Sequence, residues 1–379
     1  MTTQEFDPVQ WCVPGVRQLK PYEPGKPISE LQRELGLDDI IKLASNENPL
    51  GPSPRAVEAM RQALDEVALY PDGSAYALKQ ALGEYHEIGE ERITVGTGSD
   101  HILELIAHAF LGPDRSVVFA RHAFAIYAIV SQATGAELRV ADAHAPDHPH
   151  QPYGHDVDTL LAAVNDSTRV VFVANPNNPT GTYLTQAEME RLLAGVSGNT
   201  VVVIDEAYFD YAAPYAADYP NTRYLLERYP NLIVLRTFSK AYGLAGVRVG
   251  YALASAAMSD CLNRVRLSFN PSSLGQAAAV AALADREHVR RTVELNHSER
   301  KTLDTALRDL GLGVIPSVCN FVTADMGRPG RELFQQLLRE GVIVRPLDGY
   351  GLANHLRISV GLPKHNRRFI QALHKVLAQ

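Results

Sequence analysis

The chain has 379 residues, of which 46% are hydrophobic and 21% are charged, with a formal net charge of −7 and a sequence pI near 6.0. This length is enough to bury a large core, and the acidic balance excludes a general attraction to nucleic acid or to anionic membranes. The N-terminal segment MTTQEFDPVQWCVPG lacks the pattern of a signal peptide, and no apolar run approaches the ~18 residues of a membrane span. We therefore expect a cytoplasmic protein without a nucleic-acid or membrane partner, whose three widely spaced cysteines are free thiols.

The predicted elements divide the chain into three parts. Residues 1–45 are rich in proline and charge and predict an extended arm that packs on a small domain, with a short helix capped by Ser29. Over 46–268, apolar runs alternate with helical segments, which predicts a large α/β domain with a mostly parallel central sheet and helices on both faces. Over 269–379, long helices and short strands predict a smaller α+β domain. In such a sheet the ligand site lies beyond the carboxyl ends of the strands.

Lys240 follows an apolar run, Leu232 to Leu235, that is typical of a buried strand. Most lysines lie on the surface, so a lysine at the end of a buried strand indicates a chemical role. A desolvated amine loses its proton more readily and can form a Schiff base with an aldehyde, and Arg248 supplies a fixed cation for an anionic group. From this stretch alone, two surface cations at a strand end are an equally good interpretation.

Three further polar motifs follow predicted strands. The turn Gly96 to Asp100 matches neither a dinucleotide fingerprint nor a P-loop; it is either a plain turn or a place where backbone N–H groups bind phosphate. The loop Asn175 to Gly181 holds its asparagines rigidly between prolines. Asp205 ends a buried strand, so its carboxylate must be paired, bound to metal or matched to a cationic ligand. A magnesium site would lack its partner, because the sequence has no P-loop. A pyridinium nitrogen would supply the positive charge that the carboxylate requires.

Four histidines lie close together in AHAPDHPHQPYGH, namely His144, His148, His150 and His155. Their spacing fits no common zinc pattern, and the prolines between them predict an exposed loop. We expect no metal site.

Taken together, NPNNPTG, DEAY and TFSKAYGLAGVRVGY resemble the fold-type I, class-II pyridoxal-phosphate aminotransferases, and within them the histidinol-phosphate aminotransferase family. The segments LKPYEPGKPISEL, IKLASNENPLGPSP, YPDGSAYALKQAL and GVIVRPLDGYGLANHLRISVG extend the resemblance over nearly the whole chain. Ala75 and Val247 stand where Gly and Leu are expected, and neither carries chemistry. The resemblance implies pyridoxal 5′-phosphate as cofactor.

The resemblance also implies a role for each matching residue around the cofactor ring. Lys240 would form the Schiff base and move the proton during catalysis, and Asp205 would keep the pyridine nitrogen protonated. Tyr208 and Asn178 would bind the phenolic oxygen, and Phe124 would stack on the ring.

By the same resemblance, the cofactor phosphate would be held by residues that follow two predicted strands: the backbone of Ser99 and Asp100 after one, and Thr237, Ser239 and Arg248 after the other. Tyr70 would reach the phosphate from the neighbouring subunit, which implies a homodimer with shared active sites. Tyr22, Arg345 and Arg357 would bind the substrate.

The implied reaction is transamination of L-histidinol phosphate with 2-oxoglutarate, which gives imidazole-acetol phosphate and glutamate in histidine biosynthesis. Three alternatives stay open at this point. An aromatic amino-acid aminotransferase would act on phenylalanine or tyrosine with the same chemistry, and a decarboxylase of phosphorylated amino acids would share the motifs but release carbon dioxide. A non-catalytic cofactor-binding regulator is the third.

Overall fold

The computed structural model describes residues 6–378. Its helices are α1 (Pro8–Trp11), α2 (Pro14–Arg17), α3 (Ile28–Leu35), α4 (Pro54–Ala63), α5 (Tyr76–His86), α6 (Ser99–Phe110), α7 (Ala125–Ala133), α8 (Val157–Ala163), α9 (Gln186–Gly195), α10 (Phe209–Ala212), α11 (Ala256–Val265), α12 (Ser273–Ala284), α13 (Arg286–Asp309), α14 (Gly330–Arg339) and α15 (Pro363–Leu377). Its strands are β1 (Ile41–Lys42), β2 (Ile93–Gly96), β3 (Ser116–Ala120), β4 (Glu137–Ala141), β5 (Thr168–Ala174), β6 (Val201–Asp205), β7 (Leu232–Thr237), β8 (Gly250–Leu253), β9 (Gly313–Ile315), β10 (Phe321–Asp325), β11 (Val342–Ile343), β12 (Arg345–Pro346) and β13 (His355–Ser359).

The larger sheet has seven strands in the order β2-β8-β7-β6-β5-β3-β4. Strand β8 runs antiparallel to both of its neighbours, and the other pairs are parallel, which confirms the predicted mostly parallel sheet. Strands β6 and β7 are buried along their whole length and consist largely of Val, Leu and Ile, as expected for strands covered by helices on both faces. Because β5, β6 and β7 are parallel neighbours, their carboxyl ends at Ala174, Asp205 and Thr237 lie at one edge of the sheet.

A second core surrounds the four-stranded antiparallel sheet β12-β13-β10-β9. Leu31 of α3 is buried in this core, and β1 pairs in parallel with β11. The prediction that Ser29 caps α3 is wrong, because the helix already begins at Ile28, with Pro27 in the capping position. The domain limits after residues 45 and 268 stay predictions; α12, which follows the second limit, packs on α4 in the larger core.

The loop after Lys240 packs tightly against the segment that precedes α4. Gly243 has a φ of +71°, and a Cβ atom there would lie 2.3 Å from the carbonyl oxygen of Gly51. Only glycine combines this backbone conformation with so close an approach. The loop that carries Lys240 is therefore held in one position.

Among the described helices, none is both long enough and apolar enough to span a membrane.

Candidate active site

A cavity of about 260 Å³ opens where β5, β6 and β7 end, and side chains from both cores and from the N-terminal segment line it. Every predicted site residue except Tyr70 contributes to its wall: Tyr22, Ser99, Asp100, Phe124, Asn178, Asp205, Tyr208, Thr237, Ser239, Lys240, Arg248, Arg345 and Arg357. Residues far apart in the chain thus form one site.

The amine of Lys240 lies just beyond β7, where it donates a hydrogen bond to the carbonyl oxygen of Ser45 at 3.2 Å. Burial, together with the guanidinium groups of Arg357 and Arg248 and against the opposing effect of Glu47, lowers the pKa of Lys240 to about 8. A fraction of the amine is therefore unprotonated near neutral pH and can act as a nucleophile or a base.

Asp205, the last residue of β6, is only 6% exposed. The hydroxyl of Tyr127 donates to its Oδ2 at 3.0 Å, and the backbone N–H of Ala207 donates to its Oδ1 at 3.2 Å. Burial raises the pKa of Asp205 to about 6, while these two hydrogen bonds act in the opposite direction. No salt bridge to Asp205 forms within residues 6–378. A cationic ring nitrogen in the cavity would supply the missing charge.

The neighbouring Glu206 has its partner within the chain. Its Oε2 accepts hydrogen bonds from Nε and Nη2 of Arg236 at 2.9 and 2.8 Å, and both side chains are buried. A buried carboxylate paired in this way has a structural role. Of the two adjacent acids, Asp205 is the one whose charge is available to a ligand.

Two hydrogen-bond donors face the cavity beside Asp205. Burial raises the pKa of Tyr208, so its hydroxyl keeps its proton, and this hydroxyl accepts a hydrogen bond from the amide nitrogen of Asn46 at 2.8 Å. The amide oxygen of Asn178 accepts from Nη1 of Arg357, which leaves the NH₂ group of Asn178 directed elsewhere. The hydroxyl and the NH₂ group can therefore both donate to an anionic oxygen.

An anion site lies at the start of α6. Arg248 donates to Oδ1 of Asp100 at 2.7 Å and to the hydroxyl of Ser239 at 3.2 Å. A Cβ atom at Gly98 would lie 2.3 Å from Nη2 of Arg248, so the absence of a side chain lets the guanidinium approach the helix N-terminus. The backbone N–H groups of α6 and this guanidinium together suit a phosphate. Thr237 is adjacent, and its hydroxyl accepts a hydrogen bond from the N–H of Ser239 at 3.1 Å.

Arg357 is a buried cation without a carboxylate partner among the described residues. Its guanidinium donates to Asn178 and to the carbonyl oxygen of Ala44 at 2.7 Å, and its Nε has no hydrogen-bond partner. Arg345 is nearby, with its guanidinium carbon 5.7 Å from the ring centre of Tyr22. Both arginines line the cavity and can receive an anionic group of a substrate.

Tyr70 lies outside the cavity of its own chain. It is 81% exposed and stacks on Phe269 with ring centres 4.5 Å apart. An exposed aromatic pair of this kind is available to a second copy of the chain.

Sequence reasoning missed two residues that hold the site together. Tyr127 lies one helical turn after Phe124 on α7, and its bond to Asp205 depends on the packing of α7 against the sheet. Asn46 lies in the segment IKLASNENPLGPSP, which carries the family resemblance, but no role was predicted for this residue. The prediction of an exposed histidine loop is wrong for His155, which is buried and bonds through Nε2 to the carbonyl oxygen of Ala174 at 2.9 Å.

Comparisons with known proteins show the family to which the chain belongs. The family model for aminotransferase class I and II matches residues 38–373, and the chain therefore belongs to that family. A protein called histidinol-phosphate aminotransferase 2, from Pseudomonas fluorescens (strain Pf0-1), is 51% identical over 368 residues, which cover 97% of each chain. Another of the same name, from Pseudomonas aeruginosa, is 52% identical over 96% of this chain and 97% of its own length.

A solved structure extends the comparison to three dimensions. The histidinol-phosphate aminotransferase from Sinorhizobium meliloti, crystallised in complex with pyridoxal-5′-phosphate, superposes with a TM-score of 0.85 at 29% identity. The match covers 96% of this chain and 97% of that one. The expected fold type and family resemblance are confirmed.

The raised pKa of Asp205 predicts a stability effect in the cofactor-free protein. Its charge is present in the unfolded chain above about pH 4 but is disfavoured in the folded state until about pH 6, so stability is lost as the pH rises through this window. We expect Asp205→Asn to raise the free energy of unfolding by about 2 kcal/mol near pH 8 and by much less near pH 4. Urea unfolding at both pH values measures the difference.

Glu206→Gln is the matched control for this substitution. It breaks the buried pair with Arg236, so it is expected to lower the free energy of unfolding by about 3 kcal/mol. If Asp205→Asn is destabilising at both pH values, the assignment of an unpaired carboxylate is wrong.

Proposed function

We propose that this protein is a histidinol-phosphate aminotransferase that moves the amino group of L-histidinol phosphate to 2-oxoglutarate and so acts in histidine biosynthesis. The products are imidazole-acetol phosphate and glutamate. One observation carries the proposal: a lysine with a lowered pKa and a buried carboxylate without a cationic partner face the same cavity. Relatives with this activity in their names are about half identical to the chain over nearly its full length.

The cofactor is pyridoxal 5′-phosphate, which supplies an electron sink for the charge that develops at the substrate carbon. The chemistry of the cavity supports this assignment, because Asp205 lacks a cation and Arg248 lies at a helix N-terminus. In our proposal Asp205 binds the ring nitrogen, and Tyr208 and Asn178 donate to the phenolic oxygen. Lys240 would hold the cofactor covalently through its aldehyde group.

The remaining contacts orient the cofactor ring and its phosphate. Phe124 lines the cavity and would cover one ring face. The phosphate would be bound by Arg248, by the hydroxyls of Ser239 and Thr237, and by the backbone N–H groups of Ser99 and Asp100.

Lys240 also has the second chemical role in this proposal. Its amine would hold and move the proton of the carbon that bears the substrate's amino group. A pKa of about 8 suits this task, because the amine can both accept and return a proton near neutral pH.

Arg357 and Arg345 would recognise both substrates in turn. Histidinol phosphate carries a phosphate and no carboxylate, whereas glutamate carries two carboxylates, so one site must accept either anion. The planar fork of a guanidinium matches both groups with two parallel hydrogen bonds. Burial of Arg357 without a carboxylate partner leaves its charge available for this purpose.

An aromatic amino-acid aminotransferase is the second candidate. Tyr22 and Phe124 meet edge to face at the cavity, with ring centres 6.5 Å apart, and such a wall accepts a phenyl ring as well as an imidazole. This contact favours a substrate with a flat ring, and both a phenyl ring and an imidazole ring meet that condition.

A half-reaction tests the proposal. The cofactor-loaded protein is mixed with histidinol phosphate or with phenylalanine, without an oxo acid, while the visible band of the bound cofactor is followed. We expect conversion to the amine form of the cofactor, with a second-order rate constant for histidinol phosphate at least about 100-fold above that for phenylalanine. Lys240→Ala is the control and is expected not to convert.

The other outcomes separate the alternatives. Comparable or faster conversion by phenylalanine would make the enzyme an aromatic aminotransferase. Release of carbon dioxide from a phosphorylated amino acid would make it a decarboxylase.

We further propose a homodimer with shared active sites, located in the cytoplasm. Exposed apolar residues also lie near Tyr70 and Phe269 in the sequence: Leu64, Val67, Leu69 and Leu267. Exposed apolar side chains of this kind favour contact with a second subunit. In the proposed dimer Tyr70 binds the cofactor phosphate of its neighbour.

Mixed dimers provide a direct test of the shared site. Lys240→Ala and Tyr70→Ala dimers are each expected to be strongly impaired, but a mixed dimer would contain one site with both residues intact. Subunit exchange in an equimolar mixture should restore about a quarter of wild-type activity. If the mixture is no more active than the mean of its parents, Tyr70 does not act across the interface.

A further inference from the structure

A second cavity, of about 420 Å³, lies away from the active site and shares none of its lining residues. Helices α5, α10, α12 and α13 enclose it. Four aromatic residues form much of its wall, namely Tyr85, Phe209, Tyr215 and Tyr242, and aliphatic side chains of α12 and α13 complete it.

Asp210 is the acid that faces this aromatic cavity from α10. No side chain of residues 6–378 donates a hydrogen bond to its carboxylate, and no Lys or Arg of that range lies within salt-bridge distance. Burial is the largest cause that raises the pKa of Asp210 to about 6, so the group is still charged at neutral pH. Asp210 is half-buried, and a cation in the cavity would stabilise its carboxylate.

Among the described residues no arginine near this cavity forms a salt bridge with Asp210, although the charge of Arg236 acts to lower the pKa of Asp210. Arg236 is bound by Glu206 at 2.8 Å, and its guanidinium carbon lies 3.4 Å from the ring centre of Phe209. Arg290 is held by the two acids on either side of it along α13, Glu287 and Glu294.

Arg286 is exposed and lies over the ring of Tyr85, with its guanidinium carbon 5.4 Å from the ring centre. It makes no hydrogen bond to Asp210. Arg286 and Arg290 thus contribute to the cavity wall, but neither is bonded to the Asp210 carboxylate among the described residues.

We propose that this cavity binds a small organic cation with an apolar body, an amine or a quaternary ammonium, which Asp210 pairs with and the aromatic rings surround. Aromatic faces attract cations through their quadrupole, and a carboxylate beside them adds a direct charge interaction. The volume suits a molecule with one ring and a short charged arm. The site is additional to the aminotransferase reaction and does not depend on the identity of its substrate.

Benzyltrimethylammonium is a suitable probe, because a quaternary nitrogen cannot condense with the aldehyde of the cofactor in the active site. Calorimetric titration of the cofactor-loaded protein is expected to show saturable binding of one probe per chain, with a matching rise in Tm. Benzenesulfonate, which carries the opposite charge on a similar ring, is expected not to bind.

Asp210→Asn removes the charge with little change of shape and is expected to weaken probe binding by at least about tenfold. Asp260→Asn is the matched control, because it makes the same chemical change at an exposed acid on α11 that is paired with Arg264. This control is expected to bind the probe like the wild type.

Ala213→Trp is a second variant that keeps the carboxylate. Ala213 is an exposed residue of the cavity wall, so an indole there narrows the cavity and is expected to reduce binding. The proposal is overturned if the wild type shows no saturable binding, if Asp210→Asn binds the probe with unchanged affinity, or if benzenesulfonate binds equally well.

Discussion

Burial of charge at the end of a parallel strand is the constraint on which this site depends. Strand β6 carries four buried apolar residues and then Asp205, so the fold places a carboxylate at the edge of its most apolar layer. Two hydrogen bonds, from Tyr127 and from the N–H of Ala207, hold it without neutralising it. In our proposal the ring nitrogen of the bound cofactor supplies the positive charge, which would link the fold to cofactor binding.

Lys240 and Arg357 obey the same constraint with the opposite sign. Burial lowers the pKa of Lys240, and the nearby guanidinium of Arg357 lowers it further. Arg357 thus changes the pKa of Lys240, and neither side chain forms a salt bridge within the described part of the site. The contrast with Glu206 and Arg236, which neutralise each other in the same layer, shows that the fold can pair buried charges where no ligand is required.

The sequence predicted much of this arrangement because chemistry and backbone signals coincide. Lys240, Asp205 and the loop that contains Asn178 each follow a run of apolar residues, and parallel strands bring such ends together. The bond from Tyr127 to Asp205 could not be predicted, since it depends on how α7 packs across the sheet. The burial of His155 was missed for a similar reason, because a proline-rich neighbourhood suggests exposure while packing against Ala174 decides otherwise. Asp210 carries no sequence signal, and its aromatic surroundings come from four separate helices and loops.

The dissociation constant of pyridoxal 5′-phosphate for Asp205→Asn, with Lys240 intact, tests the central claim most directly. An amide cannot neutralise a cationic ring nitrogen, so we expect Asp205→Asn to bind pyridoxal 5′-phosphate at least about 100-fold more weakly than the wild type does. This loss is expected even though the cofactor-free Asp205→Asn protein is the more stable of the two. Binding as tight as that of the wild type would contradict the claim that the unpaired charge of Asp205 is what the cofactor completes.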